Sequence, residues 1–436
     1  MSFLDNLNLE QIQKGASEGE PSWLAHLRSE AASRLLDEGM PTKKTESWRF
    51  TSLTELLKQP FKSHGKNSQN RECQGWAEEY LGDDDCNRLF LVNGRPIGFG
   101  KAPENLEIHR LAQLLADQPE AIQPYLARSA RSEFFGALNS ALFEDGLAIH
   151  VHRNAVHDTP LHIVHISAPE EEASASYPRI ALVVDENAEF QLIETYLSRP
   201  GQKSLTTAVT EVYLEANAKL DHTRVVLGND ASYHVGHLSV RQGRDSRYRS
   251  QSVVMGSKLC RVDIDASMTQ PGAECVLDGM YHGVENEHVD HNTTIVHGAT
   301  HCSSSEEYRG LVDGRAHAVW DGTIVVERGA QHTSAHQQNH NLLLSDTATV
   351  NTKPHLEIDT DDLSASHGAT VGALDPDQLF FLRARGIDEA QARAMLTFSF
   401  VRSILDRVKN ESVRKRLVAE LIERMPEGES IEELAL

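Results

Sequence analysis

The chain has 436 residues, of which 39% are hydrophobic and 24% are charged, and its net charge is −22. This is the composition of an ordinary globular protein, long enough for two or three structural regions. Because the acidic excess repels phosphate backbones and anionic lipids, we expect neither nucleic acid nor a membrane surface as a partner.

The first residues and the cysteines together indicate a reducing compartment. The first ten residues lack the basic start and apolar run of a signal peptide, and no stretch approaches the ~18 apolar residues of a membrane helix. Five cysteines without a C-x-x-C pair argue against a disulfide framework, a zinc knuckle or a self-sufficient iron–sulfur site. We therefore expect a cytoplasmic protein whose metal chemistry borrows ligands from elsewhere or uses histidine. The cysteines are Cys73, Cys86, Cys260, Cys275 and Cys302.

Residues 1–145 are predicted to form a mostly helical domain. Leu24, Leu27 and Leu35 share one helical face, and Gly39 ends that helix. Residues 89–92 predict a short strand, which an Asn-Gly turn follows. The glycines after this turn lack the spacing of a phosphate-binding loop, and no G-x-S-x-G or H-E-x-x-H motif is present.

Residues 146–374 change to short β-branched runs separated by small-residue turns. No helix of ten or more residues is predicted between these runs, which argues against a doubly wound sheet. The pattern predicts a mainly β core, either a sandwich or a stacked solenoid, and the spacing is too irregular to choose. Asn-Ala or Gly-Ala pairs recur at 187/188, 217/218, 272/273, 298/299 and 329/330.

Residues 375–436 are predicted to form a C-terminal helical domain. Asp375 followed by proline predicts a helix N-terminus, and Gly386 marks the end of that helix. Asp388 is a second predicted N-cap. The helix after it is expected to bury a stripe at i, i+4 spacing. This stripe consists of Leu396, Phe400, Ile404 and Val408.

Histidine is concentrated in residues 282–367, which contain 11 of the 22 histidines of the chain. Neutral imidazole binds zinc, iron, copper or nickel, but histidine is also common in turns and on solvated strand faces. His332 and His336 are a ligand pair if they lie on a helix, and merely share a face if they lie on a strand. The eleven are His282, His288, His291, His297, His301, His317, His332, His336, His340, His355 and His367.

Four stretches together resemble the SufB/SufD family of iron–sulfur cluster assembly proteins. They are residues 41–51, 135–146, 303–354 and 366–387, and they follow the family's order over nearly the whole chain. The resemblance implies a right-handed parallel β-helix core with helical regions at both ends, so it selects the solenoid over the sandwich. It also implies a non-catalytic scaffold subunit.

The same resemblance implies partners and a transient cofactor. Within the family, a SufD-type subunit pairs with a SufB-type paralogue through the β-helices, and each subunit binds one SufC-type ABC ATPase through its C-terminal helices. No cofactor is expected to stay bound to the isolated chain, because the Fe–S cluster is transient and shared with the SufB-type partner. Whether the isolated chain forms a homodimer stays open.

Individual residues indicate the SufD type. The resemblance implies that a cysteine of SufB-type proteins is replaced here by Asn339, which cannot accept sulfur. The resemblance implies that His367 is an iron or cluster ligand at the interface with the SufB-type partner. Some SufD sequences have cysteine two residues earlier, where this chain has Ala365. The segment that resembles the ATPase-binding helices contains Asp377, Gln378, Phe380, Arg383 and Arg385.

Two other functions are compatible with a β-helix. A stand-alone enzyme such as a polysaccharide lyase is usually exported, and this sequence has neither a signal peptide nor an evident carboxylate cluster for calcium. Turnover of uronate polymers by the isolated chain would identify it. A histidine-rich metal-binding solenoid would instead bind metal at many weak sites without any partner.

Overall fold

The computed structural model describes residues 20–63, 70–98, 102–126, 134–168 and 173–435. Short helices and strands come first, a long series of parallel strands follows, and helices end the chain. The helices before the strand series are α1 (Ser22–Glu38), α2 (Thr54–Leu57), α3 (Asn70–Leu81), α4 (Leu111–Asp117), α5 (Pro119–Ile122) and α6 (Phe134–Leu142). Two 3₁₀ turns lie at Glu46–Trp48 and Gln123–Tyr125.

The described residues contain 21 strands, of which four precede α6 and the others lie between α6 and the C-terminal helices. They are β1 (Lys62–Ser63), β2 (Asn87–Val92), β3 (Arg95–Ile97), β4 (Leu106–Arg110), β5 (Leu147–Val151), β6 (Leu161–Ser167), β7 (Ala173–Ser176), β8 (Arg179–Val184), β9 (Glu189–Ser198), β10 (Lys203–Leu214), β11 (Lys219–Leu227), β12 (Tyr233–Gln242), β13 (Arg247–Met255), β14 (Leu259–Met268), β15 (Glu274–Gly283), β16 (His288–His297), β17 (Ser303–Val312), β18 (His317–Val326), β19 (Thr333–Leu343), β20 (Thr349–Ile358) and β21 (Leu363–Gly372).

The strand series is a parallel β-solenoid, which confirms the predicted fold class. Consecutive strands alternate between two sheets, one ordered β20-β18-β16-β14-β12-β10-β8 and the other β21-β19-β17-β15-β13-β11-β9. Seven successive strand pairs, from β8/β9 to β20/β21, each form one turn. The strands are about ten residues long and need no crossover helices, because each chain segment steps directly to the facing sheet.

One corner of the solenoid repeats a left-handed backbone conformation. Asn187 and Asn217 have φ of 61° and 58°, and each is followed by a fully buried alanine. Asparagine and histidine tolerate this conformation better than most residues. The same corner continues at Gly272, His301 and His332. The residue pairs 298/299 and 329/330 therefore lie next to this row of corner residues and do not belong to it. This is why their spacing in the sequence is irregular.

The first predicted helix, and the predicted strand with its Asn-Gly turn, are confirmed. α1 buries Leu24, Leu27 and Leu35, and Gly39 at its C-terminus has a φ of +69°. β2 and β3 form an antiparallel pair across a turn in which Asn93 and Gly94 both have positive φ. The glycine-containing segment 94–101 is part of this hairpin as far as residue 98, and residues 99–101 lie outside the described residues.

The C-terminal helices are α7 (Pro376–Arg383), α8 (Glu389–Leu405), α9 (Glu411–Arg424) and α10 (Glu432–Ala435), with a 3₁₀ turn at Gly428–Ile431. Both predicted N-caps are confirmed: the Asp375 carboxylate accepts from the Asp377 amide, and the Asp388 carboxylate accepts from the Gln391 amide. The helices pack along the flank of the sheet that contains β15 and β17. There Arg424 pairs with Glu287 at 2.8 Å.

The predicted apolar stripe of α8 was only partly right. Leu396 and Phe400 are only half-buried, and Val408 lies beyond the end of the helix. Because α8 packs in one apolar cluster with both the solenoid and α9, its buried face is wider than a single i, i+4 row. That face consists of Ala392, Ala394, Thr397, Phe398, Val401, Ile404 and Leu405.

Within the described ranges, the helices are all too short or too polar to cross a lipid bilayer.

Candidate functional site

The last turn of the solenoid is left uncovered by the described part of the chain. There, β20 and β21 each pair with one strand of their sheet, β18 and β19 respectively. Inner-face residues of β20 and β21 continue the columns of buried residues on β18 and β19, but are themselves half-buried or exposed. We call this surface the open end. It consists of Val350, Thr352, Pro354, Leu356, Ile358, Ala365, His367, Ala369 and Val371.

His367 lies in the middle of β21, on the inner face of the solenoid. It is in register with Gln337 on β19, which in turn is in register with Glu306 on β17. Gln337 and Glu306 are buried, whereas His367 is exposed. Its ring forms no hydrogen bond or ion pair with the residues that the structure describes. A neutral imidazole in this setting is accessible as a ligand to a soft or borderline metal ion.

A polar column stands directly behind His367, and the sequence analysis did not find it. The Gln337 amide donates to the Glu306 carboxyl at 2.9 Å, and burial raises the pKa of Glu306 to about 7. The amide oxygen of Gln337 is buried without a hydrogen-bond partner among the described residues. Alternation of polar residues along β17 and β19 is visible in the sequence, but only the register shows that these two stack on His367.

Asn339, where the resemblance implies a cysteine in SufB-type proteins, is fully buried in a closed hydrogen-bond network. Its amide donates to the Tyr281 hydroxyl at 3.1 Å, and Asn341 donates to its side-chain oxygen at 2.6 Å. Tyr281 in turn donates to the Asn341 oxygen at 2.5 Å. The amide and phenol groups of this network supply one another's hydrogen bonds. Position 339 therefore has a structural role in this chain and no sulfur chemistry.

None of the five cysteines is placed as a sulfur acceptor at the open end. All are free thiols, and Cys260, Cys275 and Cys302 belong to the apolar core inside the solenoid. Burial raises the pKa of the Cys260 and Cys275 thiols, which keeps them protonated and unreactive. Ala365, two residues before His367, also faces the inner side of β21. His367 is therefore the one side chain of the open end that is a good metal donor.

The second predicted site is α7, which three residues separate from the end of β21. No residue of α7 is buried, and Phe380 is 73% exposed. The Arg383 side chain pairs with Glu389 at 3.1 Å, and the Arg385 guanidinium lies 3.3 Å from the centre of the Phe381 ring. An exposed phenylalanine flanked by arginines is typical of a protein-binding surface.

The eleven histidines of residues 282–367 do not gather at one place. His282, His291 and His297 are buried, while His301 and His332 are corner residues with left-handed backbone. His332 therefore precedes β19, and it shares no strand face with His336. His336 and His340 face outward on β19, where each bonds to a hydroxyl of β21. Most of these histidines thus lie in turns, in the solenoid interior or on its outer face.

Comparisons with known proteins place the chain in one family. Residues 7–163 match the family model described as the SufBD protein N-terminal region. Residues 165–400 match the model described as SUF system FeS cluster assembly, SufBD core domain.

Several relatives are similar over nearly their whole length. The chain is 31% identical to an iron–sulfur cluster assembly SufBD family protein of Synechocystis, over 91% of this chain and 90% of that protein. It is 30% identical to the iron–sulfur cluster assembly protein SufD of Escherichia coli, over 91% and 92%. It is 25% identical to the SufD of Bacillus subtilis, over 93% and 94%. The chain belongs to the SufBD family of iron–sulfur cluster assembly proteins.

Proposed function

We propose that this chain is the SufD-type, non-catalytic scaffold subunit of an iron–sulfur cluster assembly complex in a reducing, cytoplasmic compartment. It pairs with a SufB-type paralogue through the open end, places His367 at the cluster and binds a SufC-type ABC ATPase through α7. The open end is the observation that carries the proposal. The five free thiols fit the compartment.

The open end suits a second solenoid better than any other partner. Its two strands offer unpaired backbone donors and acceptors, which another strand edge can complete. Its inner face offers the cross-section of an apolar core, including Leu356, Ile358 and Val371. A partner with the same two-strand turn continues both the hydrogen-bond ladders and the core columns. His367 then becomes buried at the junction.

A cluster at this junction takes ligands from both subunits. This chain supplies the imidazole of His367 and no thiol at the open end, so thiolate and sulfide come from the partner and the delivered sulfur. Cluster content therefore depends on the assembled complex and not on the isolated chain.

The proposed role of α7 follows from its position. Only residues 373–375 separate β21 from α7, so a displacement of α7 is transmitted to the strand that carries His367. ATP binding that brings two ATPase subunits together would pull on α7 and loosen the junction. Amide exchange of residues 363–372 in the assembled complex is expected to increase when ATP is added, and unchanged exchange would refute this coupling.

The central experiment co-expresses the full chain with its SufB-type and SufC-type partners and measures iron and sulfide in the purified complex. His367→Ala is expected to leave assembly intact and remove most of the cluster. His336→Ala is the matched control, because His336 is exposed on the neighbouring strand but faces outward. Equal cluster content in both variants would return His367 to a structural role. Failure of the wild-type chain to assemble would overturn the scaffold function itself.

A further inference from the structure

Away from the open end, the described part of the chain contains two groups of three side chains that are arranged to bind a metal ion. In each group the donor atoms lie within 4.8 Å of one another. One group is Asp84, Cys86 and His162, and the other is Glu107, His150 and His152. Neither contains a histidine from residues 282–367, where the sequence concentrates them.

The first group is already occupied by protein contacts. Arg88 lies 2.7 Å from the Asp84 carboxylate, and the His162 ring bonds to Asp84 at 2.8 Å and to Thr195 at 2.9 Å. A metal ion would have to displace a guanidinium from a largely buried carboxylate. We therefore regard this group as a structural network between the N-terminal region and β6.

The second group is built on adjacent strands near the N-terminal end of the solenoid. Glu107 on β4 is in register with His150 on β5, and His152 lies just after the end of β5. The Glu107 carboxylate lies 3.0 Å from Nε2 of His152 and 3.3 Å from Nε2 of His109. Asp185, just after β8, places a carboxylate oxygen 2.9 Å from Nε2 of His150. Strands hold donors more rigidly than loops do.

The charge and exposure of this group favour a bound cation. Glu107 and Asp185 bring two carboxylates, and their described contacts are with imidazoles rather than with lysine or arginine. The side chains of His150 and His152 are 39% and 37% exposed, so a hydrated ion can reach them. Their rings are 4.7 Å apart, a separation that one ion can bridge.

We propose that Glu107, His150 and His152 bind a divalent first-row transition-metal ion. Two imidazoles with carboxylates suit Zn²⁺, Fe²⁺ or Ni²⁺, whereas Mg²⁺ and Ca²⁺ prefer oxygen donors alone. This site is at the opposite end of the solenoid from His367, and it does not depend on the proposed scaffold function.

The test is a titration of the metal-free full chain with Zn²⁺ in competition with a chromophoric chelator. The wild type is expected to bind one equivalent more tightly than all others, and His150→Asn/His152→Asn is expected to lose that equivalent. Changes in outer-shell groups alone weaken metal sites by about 10–100-fold, so loss of two ligands should weaken this one by at least about 100-fold. Millimolar Mg²⁺ should not compete.

His301→Asn/His332→Asn is the matched control. These two rings are also exposed and 4.7 Å apart, and His332 lies 3.0 Å from Asp362. However, their donor atoms do not converge as those of Glu107, His150 and His152 do. Asparagine also suits their left-handed backbone. This variant should bind Zn²⁺ like the wild type.

A third variant, Glu107→Gln, keeps the shape of the site and should weaken binding by about tenfold. Because all these side chains are at least partly exposed, circular dichroism of each metal-free variant should match the wild type. The proposal fails if the wild type has no tight equivalent, if the His150/His152 variant retains it, or if the control variant loses it.

Discussion

The two ends of the solenoid are finished in different ways. At the N-terminal end, antiparallel strands β3 and β4 terminate the two sheets, and α6 docks on the first turns. At the C-terminal end, the described helices pack along the flank and leave β20 and β21 uncovered. The described residues thus cover one end of the solenoid and leave the other exposed.

The N-terminal end is fixed by buried polar contacts as well as by apolar packing. The fully buried Arg179 guanidinium donates to Asn139 and Ser140 of α6, and pairs with Glu211 of β10 at 2.6 Å. Asn139 donates to two backbone carbonyls of the first turns. His367, at the other end, has no described contact of this kind. Truncation of a side chain should therefore lower the free energy of unfolding strongly at the N-terminal end and hardly at all at the open end.

Arg179→Ala is expected to have the largest effect on stability. The substitution removes three hydrogen bonds and the positive charge that pairs with the buried Glu211 carboxylate. The free energy of unfolding should therefore fall by about 3–5 kcal/mol. His367→Ala should change it by less than about 0.5 kcal/mol. Urea unfolding of the isolated chain measures both. Arg179→Lys, which keeps the charge, should fall between them, and equal losses at the two ends would contradict the comparison.

Val371→Lys is expected to break the open end without unfolding the chain. A lysine on the inner face of β21 would be buried without a counter-charge when the partner solenoid docks. This should weaken pairing with the SufB-type partner by about 2 kcal/mol or more, at least about 30-fold. Affinity measured between the purified subunits checks this.

Val156→Lys controls for the added charge, because Val156 is also an exposed apolar residue but lies near the N-terminal end. It should leave the affinity unchanged. If both lysine variants bind the partner as the wild type does, the interface is elsewhere.

Phe380→Ala tests whether α7 is a second interface, separate from the open end. Phe380 makes no described core contact, so truncation should not alter stability, but it should weaken binding of the SufC-type ATPase by about 1–2 kcal/mol, about tenfold. Phe50→Ala, which truncates another exposed phenylalanine, is the control. Equal affinity of the two variants for the ATPase would refute the assignment of α7.

Local features of the fold could be predicted from the sequence, whereas long-range features could not. Asp375, Asp388, Gly39 and the Asn-Gly turn at 93–94 act on backbone within a few residues of themselves, so the sequence was sufficient for them. A solenoid core instead depends on which residues stack between turns about 30 residues apart. The corner at Gly272 continues at His301, a change of residue type that hides the period.

The candidate site shows the same limit. A resemblance to the family is sufficient to single out His367, but Glu306 and Gln337 were missed because their relation to it exists only in the register of three strands. Glu107 and His150 were missed for a similar reason: 43 residues separate them in the chain, and only antiparallel pairing brings them together. The histidine-rich segment drew attention to a different region.

The smallest predicted effect is the pH dependence of stability that the buried histidines of the solenoid interior produce. Burial lowers the pKa of His282 to about 3 and that of His291 to about 4. An unfolded histidine has a pKa of about 6.5, so below this pH the unfolded state binds more protons than the folded state. Each such histidine therefore removes stability as the pH falls from about 6.5 towards its folded pKa, by up to about 1.4 kcal/mol per pH unit.

The free energy of unfolding changes with pH, and His282→Leu should reduce the slope of that change by about 1 kcal/mol per pH unit between pH 6 and 5. The reason is that the variant lacks one group that takes up a proton on unfolding. Glu306 acts in the opposite sense: its raised pKa favours the folded state as the pH falls from about 7. The difference between variant and wild type cancels this contribution. Urea unfolding of the wild type and of His282→Leu at a series of pH values measures the two slopes, and equal slopes would contradict the lowered pKa of the buried His282 ring.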